Sequence, residues 1–216
     1  MDATARLARR TVLPRPPRGG ATRLSCGACD GLLEAARGGY SFLWSDGRSG
    51  QRVHLGVPAS GDIALVLAPP RSLVRVVLRE PVVLAPGARL RGYVGVPLAP
   101  TLTWTDSDGV EHVLHAFAAG DLASEWDERS GHVQVTTSPW FQRFPVRGAE
   151  LRAIVPVRIR HSGRAPFETP FVPIGLGAVD LNAARGALVA RPRSFQTVGD
   201  GLAERRREPL AWGTSA

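Results

Sequence analysis

Eighteen prolines and 24 glycines in 216 residues break this chain so often that few stretches remain in which a helix of ordinary length could form. Short apolar runs recur between the breakers, and that rhythm belongs to strands. The pattern predicts strands at 40–44, 52–57, 63–68, 73–78, 89–96 and 102–105, then at 110–116, 132–137, 151–160, 171–174, 178–181 and 188–191. Helix is conceivable briefly over 3–10 and, beyond the arm, only over 29–37 and 179–189, and for the last of these a hairpin over 178–191 fits better because Gly186 interrupts it.

One hairpin is written out locally. Leu102-Thr103-Trp104-Thr105 leads into Asp106-Ser107-Asp108-Gly109, whose Asp and Gly tolerate a tight turn, and Val110 to Leu114 returns. Residues 151–160 alternate, with Leu151, Ala153, Val155 and Val157 on one face and Arg152, Ile154, Pro156 and Arg158 on the other, as a half-buried strand does.

These signals imply an all-β or mostly β fold, an antiparallel β-sandwich with a disordered Arg/Pro-rich N-terminal arm. The expected division is a flexible basic arm over 1–23, a sandwich over 24–195 and a loosely attached tail over 196–216. The hydrophobic share of 44% suffices for a real core.

All 27 basic residues are arginine, against 19 acids. Arginine grips phosphate and carboxylate bidentately, yet a GC-rich coding sequence also replaces lysine with arginine for no functional reason. Residues 1–25 carry +5 of the formal +8, which leaves +3 for the remainder. A basic arm on a nearly neutral body reads as a solvated extension or as a weak, nonspecific anion contact. No 18-residue apolar run and no apolar signal segment precede the body, so a cytoplasmic protein without a transmembrane helix is expected.

Cys26-Gly27-Ala28-Cys29 could chelate a metal, close a redox disulfide or be incidental. It is half a metal motif: only His54, His112, His115, His132 and His161 could complete a ligand set, so no metal and no cofactor are assigned. His112 and His115 lie at odd spacing in a strand, which would send them to opposite faces. The acids Asp121, Glu125, Asp127 and Glu128 surround Trp126, as a solvated loop or as an acid/base set lining a cleft. Trp140, Phe141 and Phe144, between Pro139 and Pro145, read as a plug for one end of the sandwich or as an exposed patch for a protein partner or self-association. No phosphate loop, nucleophile elbow or metalloprotease helix is present. The functional expectation is thus a non-catalytic binding or interaction module, the alternative being an enzyme or ligand-binding domain with a cleft of acids and histidines.

The run Glu80-Pro81-Val82-Val83-Leu84-Ala85-Pro86, the strand ending Val94-Gly95-Val96-Pro97, then Gly131-His132-Val133, Val155-Pro156-Val157-Arg158-Ile159 and Phe171-Val172-Pro173-Ile174 together resemble a prokaryotic family known as domain of unknown function number four hundred and thirty-two. The resemblance covers about residues 30–190. It implies no activity and carries over no catalytic residue.

Overall fold

The computed structural model describes residues 9–26, 29–47, 49–69, 73–118, 121–127, 131–144, 151–176, 181–184 and 187–205. Every regular element among them is a strand. In chain order these are β1 (Arg10–Val12), β2 (Ala21–Cys26), β3 (Cys29–Ala36), β4 (Gly39–Ser45), β5 (Gly50–Leu55), β6 (Asp62–Ala68), β7 (Leu73–Leu84), β8 (Arg89–Pro97) and β9 (Ala99–Thr105). There follow β10 (Glu111–Ala116), β11 (Ala123–Asp127), β12 (Gly131–Ser138), β13 (Arg152–Arg160), β14 (Phe167–Gly175), β15 (Asn182–Ala184), β16 (Ala187–Val189), β17 (Arg193–Val198) and β18 (Gly201–Glu204).

They form four sheets: A, β2-β3-β4-β5; B, β1-β6-β9-β10; C, β11-β12-β7-β14; and D, β15-β16-β13-β17-β18, with β8 on the other side of β13. The sequence calls for one sandwich, whereas the apolar side chains gather into two main cores. Leu24, Leu33 and Phe42 of sheet A meet Ile63, Leu65 and Leu102 of sheet B. Val74, Val76 and Val172 of sheet C meet Val94, Val155, Val157 and Phe195 of sheet D. Each such side chain, removed from water, contributes roughly 1.5–3 kcal/mol. Leu151 packs against both cores and joins the two lobes.

Pairing is antiparallel except at β12 with β7 and at β13 with β16 and β17, which run parallel. β7 continues through Glu80-Pro81, where the sequence suggests a stop. Pro81 falls where the pairing with β14 shifts register, between Val77↔Phe171 and Val82↔Thr169, and β12 pairs only as far as Leu78, so the ladder asks for no N–H there. Of residues 29–37, open to a helical reading, all but the last form β3, whose alternating burial supplies Leu33 to the core.

Of the expected arm and tail, residues 1–8 and 206–216 lie outside the described residues, and the parts that are described are built into the sheets. Residues 9–23, assigned by sequence to a flexible arm, are tied into the sheets: Arg10–Val12 pairs with β6, Leu13 is buried and Ala21 opens β2. Arg15 donates to the carbonyls of Pro58, Ser60 and Gly61, each at 2.8 Å, with its guanidinium over the Tyr40 ring. The expected tail likewise begins inside β17, where Phe195 and Thr197 are buried, and β18 pairs with it. The hairpin around Asp106 is as read: β9 and β10 pair from Thr105↔Glu111, Gly109 has φ 79°, and the Asp106 carboxylate accepts from the N–H groups of Asp108 and Val110. The hairpin expected over 178–191 is shorter, Asn182–Ala184 against Ala187–Val189, and residues 178–180 lie outside the described residues. No helix among the described residues is long and apolar enough to cross a membrane.

Candidate functional site

Strand β13 faces the core with Ala153, Val155, Val157 and Ile159, so Arg158 and Arg160 stand on the opposite, outer face of sheet D. Antiparallel β8 aligns Arg91 with Arg158 and Arg89 with Arg160. Cross-strand partners point the same way, about 5 Å apart, so two pairs of like charges are set directly opposite each other. Such pairs destabilise a sheet, which makes the arrangement costly unless something else requires it. Arg89, Arg91 and Arg160 are exposed and Arg158 half-buried. Burial, then the neighbouring Arg91 and Arg89 charges, hold the Arg158 guanidinium below the usual arginine range.

Four other strand arginines are met by carboxylates, Arg10 by Glu111, Arg52 by Glu34, Arg152 by Asp121 and Arg193 by Glu204, whereas the isolated Arg23 on β2 and Arg79 on β7 have no ion pair among the described residues. Arg89, Arg91 and Arg160 make no ion pair or hydrogen bond through their guanidinium groups among the described residues. Beside them on β17, in register with Arg160, lies Gln196, which donates to the Ser162 hydroxyl at 2.9 Å.

The same face runs into aromatic side chains. Two residues beyond Arg91, Tyr93 exchanges backbone hydrogen bonds with Phe141 (2.8 and 3.0 Å), an isolated bridge that puts their side chains on one face. Phe144 packs on Tyr93, ring centroids 5.8 Å apart, and against the small buried cluster of Ile154 and Ala187. Trp140 turns the other way. Its indole lies over Gly92, where no Cβ intervenes, and packs against the core of the C and D sheets. Of the three aromatic residues singled out by sequence, Trp140 thus anchors the segment while Phe141 and Phe144, both half-buried, border the arginine rows, with exposed Arg143 between them.

The other sequence candidates are dispersed. Cys26 and Cys29 are cross-strand partners at the end of the β2–β3 hairpin, and Cys29 is buried. No group of three His, Cys, Asp or Glu suited to a metal occurs among the described residues. His112 and His115 share a face rather than opposing each other, because a bulge between Val113 and His115 shifts the register by one residue. Each is nevertheless taken up separately. His112 stacks on Trp104 and donates to Asp106 at 2.8 Å, and His115 accepts from Gln51 at 3.2 Å. His161 is buried, its Nε2–H donating to the Ala165 carbonyl and its Nδ1 meeting the Thr197 hydroxyl.

Asp121 is bound by Arg152, and Glu125 lies on edge strand β11, in the other lobe from His112 and His115; the Asp127 side chain and Glu128 lie outside the described residues. Among arginines of the expected arm, Arg10 and Arg15 are committed to internal contacts. Compared with known proteins, the chain matches no family model, no curated protein and no solved structure.

Proposed function

We propose that this protein is a non-catalytic binding module whose working surface is the outer face of sheet D and whose partner is anionic. The observation that carries the reading is the gathering of the exposed Arg89, Arg91 and Arg160 on one sheet face, without a guanidinium contact among the described residues and with Arg158 in register beside Arg91, a concentration of positive charge that an anionic partner complements. Bidentate guanidinium groups held on a rigid sheet recognise phosphate or carboxylate at low ordering entropy. On this proposal the contact surface of the binding module is the arginine rows that the aromatic loop borders, rather than the aromatic loop alone.

Retention on immobilised inorganic polyphosphate tests it. Arg91→Ala/Arg158→Ala is expected to elute at clearly lower salt than Arg23→Ala/Arg37→Ala, which removes the same charge from exposed positions in the other lobe. Equal elution of the two variants would show that net charge alone is responsible and would sink the proposal.

A further inference from the structure

Resting on that reading, we infer that the occupant of the arginine face is a single strand of nucleic acid, its phosphates along β8 and β13 and a base against the Phe141 end. Geometry argues first. Residues two apart on a strand are separated by about 6.6 Å, so Arg89 and Arg91, with Arg160 and Arg158 beside them in register, root four arginine side chains in a two-by-two lattice on one face. Its long repeat is comparable with the separation of successive phosphates in an extended single strand. A duplex carries its phosphates on a convex cylinder and meets a flat sheet along one line only, whereas a flexible strand can follow the sheet.

Chemistry argues next. A bare polyanion needs only the arginines. This face continues from Arg91 directly to Tyr93 and Phe141, so a chain whose phosphates occupy the arginines brings its next unit against aromatic rings. Stacking platforms beside a basic track are what binding of single strands without sequence preference requires, at about 1–3 kcal/mol per stacked base. Gln196 and Ser162, adjacent to Arg160, offer the hydrogen bonds that a sugar or phosphate oxygen can use.

The test is fluorescence anisotropy of the full chain with a labelled 12-nucleotide oligothymidylate, competed by unlabelled duplex of equal length or by linear polyphosphate. The single strand is expected to bind, with log K against log salt falling at a slope of about −3 for four phosphates. Arg91→Ala/Arg158→Ala and, separately, Arg89→Ala/Arg160→Ala should each weaken it at least tenfold while leaving the circular dichroism spectrum unchanged. Phe141→Ala should weaken the oligonucleotide but leave polyphosphate competition as it was. If polyphosphate competes as well as oligothymidylate per phosphate and Phe141→Ala changes neither, the ligand is a bare polyanion: the nucleic-acid inference falls while the anionic-partner reading stands. If neither probe binds, or if the arginine variants bind like Arg23→Ala/Arg37→Ala, both fall.

Discussion

Gly92 is the position at which one methyl group has the largest foreseeable effect. A Cβ there would enter the van der Waals envelope of the Trp140 indole, and both residues are held by sheet D, the glycine in β8 and the tryptophan through the neighbouring Phe141 bridge. Gly92→Ala is expected to cost about 1–3 kcal/mol by overpacking. Trp140→Ala should cost about 3 kcal/mol by leaving a void. The double variant should be less destabilised than the sum, because the small side chain at 140 makes room for the methyl; urea denaturation of the four proteins measures the coupling. A strictly additive result would mean that the contact does not limit stability. The sequence identifies Trp140 as notable but cannot say which way it turns, since that depends on a glycine 48 positions away.

At the scale of elements, the β9–β10 hairpin was legible and its charge can be tested. Asp106 is held below the ordinary carboxylate range first by the His112 N–H and then by the backbone N–H of Val110, with burial opposing and the Asp108 N–H and the His112 charge adding less. A carboxylate whose folded value is depressed stabilises the native state above its unfolded value, and that contribution is lost as pH falls through the folded one. Urea midpoints followed from about pH 7 to about pH 3 should therefore fall less steeply for Asp106→Asn than for the wild type. Parallel profiles would remove Asp106 from the account. The arginine face was half legible. Alternation over 151–160 places Arg152 and Arg158 on the charged face of one strand, but that β8 lies beside it with two arginines in register is a long-range pairing, which local pattern does not encode. Pro81 and residues 29–37 misled for the related reason that a bulge and a tertiary face outweigh local propensity.

For the whole molecule, two cores need not mean two independent units. The chain passes between the lobes from β6 to β7, from β8 to β9 through Leu98 alone and from β10 to β11, and Leu151 belongs to both interiors. Phe42→Ala in one lobe and Phe195→Ala in the other, each expected to cost about 3–5 kcal/mol, should therefore lower the midpoint of one shared calorimetric transition. A second resolved peak in either variant would establish that the lobes unfold separately. The same threading governs how the protein is made. β7 and β8 leave the ribosome before any of their sheet partners: β12 begins at Gly131, β13 at Arg152 and β14 at Phe167. At about 5–20 residues per second, Val74, Val76, Val94 and Val96 wait several seconds in the nascent chain without the strands that will cover them. Elongation speed and holdase capacity in the host therefore set how many chains reach the folded state, before the stability of that state comes into play.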